Sequence, residues 1–364
     1  MSKYWENRAA QRMFENMEEA EEAAREVRKY YSASSAYLKE HAKAVFEKYA
    51  MKHGMTQEEA RILLNQMSDL KTVDTIINRL EEVKKGSGNV AKLDSPAYRH
   101  RIEKYLSMQQ QIDAIMKRNY NLEKNYVDSF YSRFIGEAYY KSLYETMQRI
   151  GFAVAFNHIS EQQIADILNS KWYGKNYSER IWDNTQRLAE TLKKELFVCF
   201  VTGQTEKEAA DRIGELFDQE YKVARRLIRT ESAWMTNQMD QKAYKEAEIE
   251  YYRFTAVLDL RTSMICRNMD GKIFKVSEAV IGKNHPPMHP WCRSTTTPII
   301  SQKYLDRMKR KFRNPETGEV ETVPLSMTYK EWHDKYVKGT KAEEADQIWK
   351  KNYTPEEKEE ISRD

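Results

Sequence analysis

Residues 6–50, "ENRAAQRMFENMEEAEEAAREVRKYYSASSAYLKEHAKAVFEKYA", contain neither glycine nor proline. Apolar residues recur there at three- and four-residue spacing among mixed charges, the pattern of an amphipathic helix with one buried stripe. A chain that starts this way has little freedom to turn. The habit persists, with only 12 glycines and 8 prolines in 364 residues, so long helices are favoured over sheets and loops.

Boundaries follow from the interruptions. Thr56 and Glu59 form a capping-box pattern that opens "QEEARILLNQM". After the break "KKGSGNVAKLDSPAYRH", Ser95 and Pro96 read as the N-cap and first position of another long helix. Residues 1–150 are therefore expected to form an extended helical N-terminal region, and 151–250 a set of capped helices. Ser160 with Gln163 caps one of these, Ser178 opens "ERIWDNTQRLAETLKKELFVCFVTG", Gly203 stops it, and Thr205 with Glu208 caps the next.

The character changes at 251. "YYRFTAVLDL" has the β-branched and aromatic content of a strand, Asp270-Gly271 offers a hairpin turn, and "RSTTTPII" reads as a second strand. Residues 251–300 thus form a hairpin and loop module. The tail, 301–364, holds turns at Asn314-Pro315 and Thr317-Gly318, a helix capped by Thr328, and a charged end expected to fray. The fold class is mostly α with a small α+β C-terminal module.

Several function classes recede on composition. Sixty basic residues nearly balance fifty-six acidic ones, and the net charge of +4 does not mark a general nucleic-acid binder. Cys199, Cys266 and Cys292 cannot supply a disulfide framework and suit a reducing compartment; Cys199, in "LFVCFV", reads as a small buried residue. The N-terminus lacks the apolar core of a signal peptide, and no membrane span is expected. Synthesis in a cytoplasm follows. The 23 tyrosines are expected to cover half-buried helix seams, with an adhesive face for another protein as the alternative.

The scarcest residue types meet in "GKNHPPMHPWCRS", residues 282–294. With Cys266 upstream, His285, His289 and Cys292 make the spacing C-x18-H-x3-H-x2-C. Thiolate and imidazole in any mixture satisfy tetrahedral zinc, and Pro286, Pro287 and Pro290 lower the entropy lost on ordering the loop. The four residues form either a structural zinc site or simply packed side chains. Were only three to coordinate, the open position would have a catalytic look. Around them lie Asp259, Arg261 and Arg293, with Arg229, Thr230 and Glu231 on the preceding helix. These suit a network of bidentate Arg–carboxylate bonds clamping helix to hairpin; a catalytic Glu with Arg partners is the other reading. Phosphate-binding glycine loops, GxSxG and HExxH are missing from the sequence.

Taken together, "LIRTESAWMTNQMDQKAY", "DLRTSMICRNMDGKIF" and "HPPMHPWCRS" resemble the Mu F-like phage head morphogenesis family, the minor head or minor capsid proteins of tailed phages and prophages. The shared pattern is an R-T-E helix, D-x-R-T leading to a Cys and a D-G-K turn, then P-P-x-H-P-x-C-R. It falls here on Arg229, Thr230 and Glu231; Asp259, Arg261, Thr262 and Cys266; Asp270, Gly271 and Lys272; and Pro286, Pro287, His289, Pro290, Cys292 and Arg293. The likeness covers about residues 150–300. Many members carry cysteines where this chain has Ser263 and Ser294.

The resemblance implies a low-copy virion protein inside the capsid near the portal vertex, acting in head assembly and in the fate of DNA at ejection. Its implied partners are the portal protein, the major capsid or scaffold protein, and packaged DNA touched by basic runs such as "LDRMKRKFR" and "ARRLIR". Two enzyme readings stand against it. One is a metal-dependent nuclease using His285 or His289 as base. The other is a toxin of ADP-ribosyltransferase type, since related modules are fused to such domains; no extra catalytic domain is expected after residue 300.

Overall fold

The computed structural model describes residues 2–49, 56, 58–60, 72–85, 96–150, 156–299, 309–324 and 327–339. Helix α1 spans Ser2–Tyr49 and α2 Val73–Lys85. Helix α3 is Pro96–Ile150, at 55 residues. Then come α4 (Glu161–Leu168), α5 (Tyr177–Val201) and α6 (Glu206–Glu246). The remainder alternates: strand β1 (Tyr251–Thr255), helix α7 (Met264–Met269), β2 (Ile273–Lys275), β3 (Thr295–Ile299), β4 (Lys309–Arg313), β5 (Val320–Pro324) and α8 (Tyr329–Tyr336). The mostly helical class with a small α+β end is thus what the chain adopts.

Most of the caps fall where side chains with an accepting oxygen precede an apolar run. Thr56, Ser160, Thr205 and Thr328 each accept from the backbone N–H three residues on, and Glu59, Gln163, Glu208 and Glu331 return the bond. Helix α5 departs from expectation. Its cap is Asn176, bonded reciprocally with Glu179, while the Ser178 hydroxyl lies 3.2 Å from that of Tyr120. Asparagine at 176 caps as well as serine and comes first along the chain. Ser95 and most of "QEEARILLNQM" lie outside the described residues, as does the charged end.

Packing divides the chain into two compact units, and their limits cut across the four consecutive segments anticipated above. One comprises residues 25–127 and 174–224; the other comprises 1–24, 128–173 and 225–364.

In the first unit, alanine and aromatic residues fill the seams. Tyr105 stacks on Phe200 at 5.3 Å and meets Phe197 at 5.4 Å. One layer is polar: the Tyr31 hydroxyl donates to Glu123 at 2.7 Å, and Ser34 donates to Asn119 at 3.1 Å, all four side chains being buried. Tyrosines here and in α3 do cover seams, several of them wholly buried.

In the second unit, a buried ionic cluster joins three helices. Arg12 reaches Asp240 at 2.8 Å and Glu145 at 3.2 Å, and Ser142 donates to Asp240 at 2.6 Å. Beyond α6 the chain forms a three-stranded antiparallel sheet in the order β2-β1-β3. Tyr252, on the central strand, is paired with Phe274 on one side and Pro298 on the other. The Asp270-Gly271 turn joins α7 to β2 instead of closing a tight hairpin. Pairing still starts there, since Phe254 N–H donates to Lys272 and Gly271 N–H donates to Phe254. Gly271 has φ +79°, and a Cβ on it would sit 3.1 Å from the Arg253 guanidinium, so glycine is required. β4 and β5 form a separate hairpin whose Phe312 packs against Trp332 of α8.

Candidate metal centre

Two short structures aim the ligands. Ser263 is the N-cap of α7 and accepts from Cys266 N–H at 3.3 Å, which places the Cys266 thiol one turn inside the helix. On the opposite side the proline-rich loop turns back at Trp291, whose φ of +63° is unusual for a bulky residue. Cys292 N–H closes that turn on the His289 carbonyl at 3.1 Å. The loop is pinned to α6, where Trp291 N–H donates to the Thr230 hydroxyl at 3.2 Å. The Trp291 ring lies against the guanidinium groups of Arg225 and Arg229, at 5.4 and 5.9 Å.

Three of the four anticipated ligands meet. Cys266 Sγ is 3.7 Å from Cys292 Sγ and 3.4 Å from His289 Nε2. Around a tetrahedral zinc, with bonds of about 2.3 Å to sulfur and 2.0–2.1 Å to nitrogen, ligand atoms stand roughly 3.5–3.8 Å apart. The observed edges match that figure. Imidazole orientation matches too. His289 Nδ1 lies 2.6 Å from the Pro290 carbonyl, which can only accept, so the proton sits on Nδ1 and the Nε2 lone pair faces the sulfurs. Cys266, His289 and Cys292 are therefore close enough to hold a metal ion.

The sulfurs are already prepared for it. Burial works to raise the Cys292 thiol, but the hydrogen bond from Cys266 leads the effects that bring it below the ordinary thiol range. That same hydrogen bond, then burial, holds the Cys266 thiol well up. One proton is in effect shared by the pair, and a metal that displaces it gains two thiolates.

His285 stands apart from this cluster. It is buried with its ring edge-on to Tyr252, 5.5 Å away, and neither ring nitrogen has a hydrogen-bond partner. Burial lowers its pKa to about 3, so it is neutral and packed. The two-residue spacing of His289 and Cys292 lets them share a turn, whereas His285 precedes the two prolines and faces the sheet instead.

The polar network divides in the same manner. Arg293 grips Asp259 through both nitrogens, at 2.6 and 2.7 Å. Although burial raises Asp259, this guanidinium keeps its carboxyl below the ordinary range. Arg261 is exposed and only 4.0 Å from the same carboxylate. On α6, Arg229 pairs with Glu21 of α1 at 2.6 Å, and Arg225 pairs with Glu21 at 2.8 Å. Arg229 therefore clamps helix to helix, not helix to hairpin. Buried Glu231 accepts from the Trp172 indole at 2.9 Å, and that indole stacks on Trp234.

Of two further contributors, Ser263 was noted in the sequence only as a departure from the family's cysteines, and Arg267 went unnoticed. Ser263 Oγ lies 2.7 Å from His289 Nε2. Arg267 is buried and donates to the carbonyls of Thr262 and Leu260, at 2.6 and 2.7 Å, securing the turn that carries Asp259. The signals were slight: an arginine beside a ligand cysteine, and a serine three residues before it.

Residues 190–297 match the family described as Phage Mu protein F like protein, so the chain carries a Mu F-like region there. All the site residues named above fall within it except Glu21 of α1 and Trp172, the partner of Glu231. The chain is also 24% identical over 246 residues to the NAD(+)--arginine ADP-ribosyltransferase EFV of Enterococcus faecalis (strain ATCC 700802 / V583). That alignment spans 64% of this chain and 49% of the relative, about half of its length. No solved structure matches the chain. Among the described residues no helix is long and apolar enough to cross a membrane.

Proposed function

We propose that this chain, with its Mu F-like region, is a phage or prophage minor head protein that acts in head morphogenesis at the portal vertex, inside the capsid. One observation carries the reading: the motif residues that make the region similar to that family are spent on joining elements together. Thr230 pins the ligand loop, Arg293 and Asp259 tie that loop to the turn before α7, and the Cys/His corner bridges α7 and the loop. Such an arrangement makes a rigid docking module, and helices of 48 and 55 residues add long lateral surfaces for the portal and for capsid or scaffold protein. Zinc is the metal that two thiolates and an imidazole suit best. When bound it would supply a cross-link between α7 and the 285–293 loop, with Cys266, His289 and Cys292 as its holders.

Packaged DNA is the remaining proposed partner. Lys311 and Arg313 are exposed on β4 while Phe312 between them is buried, so one face of that strand offers cations to phosphates. Arg225 and Arg229 of the other basic run are engaged by Glu21 and serve packing.

The test is deletion of the coding sequence from the phage or prophage that carries it. Heads should be fewer, misassembled or non-infectious, and complementation in trans should restore them. Normal titre and normal heads would sink the reading. The likeness to an ADP-ribosyltransferase favours a second one, NAD-dependent modification of arginine. Purified chain incubated with NAD and agmatine distinguishes them: sustained nicotinamide release would favour the enzyme, and none is expected.

A further inference from the structure

The three protein ligands define only three corners of a tetrahedron. Beside the fourth stands Ser263, whose Oγ is 2.7 Å from His289 Nε2 and accepts from Cys266 N–H at 3.3 Å. A neutral alcohol is a poor partner for a cation that selects thiolate, imidazole and carboxylate. Its lone pairs are also partly committed to capping α7. The donor set beside the hydroxyl is complete only with something from outside.

Space for it exists. A cleft of about 20 Å³ opens at this corner, lined by Ser263, Cys266, His289, Trp291, Arg261 and Arg293 among others. That is room for one water-sized group. Two cationic side chains stand at its edge: Arg293 is committed to Asp259, while the Arg261 side chain is 82% exposed. Two thiolates already neutralise a divalent ion, so an anionic fourth ligand leaves the centre negative and favours guanidinium groups nearby.

We infer that the centre is an open Cys2His site whose fourth position exchanges with solvent and takes a small anion, with the Ser263 hydroxyl hydrogen-bonded to that ligand. This rests on the metal reading above, and the experiment separates the two. The full chain is loaded with Co²⁺, and its ligand-field and thiolate charge-transfer bands are followed while azide is added. Wild type should show a saturable band shift. Ser263→Ala, which removes the hydrogen bond to the ligand, should still shift but only at higher azide, and an unchanged azide affinity would overturn the role given to the hydroxyl. Ser263→Cys should gain charge-transfer intensity from a third thiolate, lose the azide response, and hold Co²⁺ against a chelator at least about tenfold more tightly. Arg261→Glu should weaken azide binding about threefold or more, by removing an attractive charge and adding a repulsive one.

Cobalt binding by wild type with bands indifferent to saturating azide would overturn the open position and leave the metal reading intact. An azide response that survives in Ser263→Cys would overturn the assignment of the fourth corner. Azide affinity unchanged in Arg261→Glu would overturn the anionic character of the ligand. Failure of wild type to bind cobalt or zinc at all would overturn both readings.

Discussion

At the Cys266–Cys292 corner, sulfur faces sulfur at 3.7 Å with an imidazole nitrogen 3.4 Å away. In the helical unit of residues 25–127 and 174–224, buried Glu123 faces the Tyr31 hydroxyl at 2.7 Å, with Glu220 as its charged neighbour. Both places bury ionisable groups, yet they handle charge differently. The corner shifts one thiol down and the other up, and so holds ligands for a cation. The Glu123 layer offers no such compensation: burial first, and the neighbouring carboxylate of Glu220, raise its carboxyl to about 7 despite the hydrogen bond from Tyr31. A buried acid without an opposing charge keeps its proton up to about neutral pH, whereas the buried thiols with an imidazole beside them lie close enough to hold a metal. That contrast is open to measurement.

The largest effect should come from removing the sulfurs. The Cys266→Ser, Cys292→Ser double variant should lose stoichiometric zinc. Wild type should melt several degrees lower after chelation, and the variant at one temperature with or without chelator, because metal binding free energy is folding free energy. Equal melts for chelated and loaded wild type would erase the contrast.

Next is Glu123→Gln. The folded pKa of about 7 lies above the ordinary 4.5, so the folded state binds the extra proton and stability falls as pH rises from 4.5 to 7. At pH 8 the amide should stabilise the chain by about 3 kcal/mol, at 1.36 kcal/mol per pH unit, and the gain should vanish by pH 4.5. Urea unfolding at the two pH values measures it.

His285 runs the other way. Its pKa is depressed to about 3, so its contribution is complete above about 6.5 and drains away as pH falls. His285→Phe should spare wild-type metal content and remove about 3 kcal/mol of the stability lost between pH 7.5 and 4.5. His289→Phe should abolish metal binding instead. Metal analysis and acid unfolding of both variants would expose a misassigned histidine.

Smaller effects belong to the salt links. Asp259→Asn weakens a bidentate, half-buried pair and should cost about 1–2 kcal/mol. Arg261→Ala, whose side chain is 82% exposed, should cost under about 0.5 kcal/mol. Thermal melts at two salt concentrations rank them, and an equal cost would mean that Arg261 carries part of the clamp.

Much of this molecule was legible in the sequence because its causes are local. A long run without glycine or proline whose apolar residues recur at three- and four-residue spacing favours helix, and Ser160, Thr205 and Thr328 cap because a side-chain oxygen three residues before a free N–H can reach it. The sharing of a turn by His289 and Cys292 is equally local, since two intervening residues allow little else. Asn176 displaced Ser178 as a cap only because two good caps lay two residues apart. What tertiary structure alone decided concerns partners far apart in the chain. Cys266 reaches Cys292 because β1 lies between β2 and β3, which brings both loops to one end of the sheet. Arg229 turned to Glu21, more than two hundred residues upstream, and His285 turned to Tyr252. Spacing names the residue types that can meet; which of them do depends on the packing of whole elements, where burial energy outweighs any single polar contact.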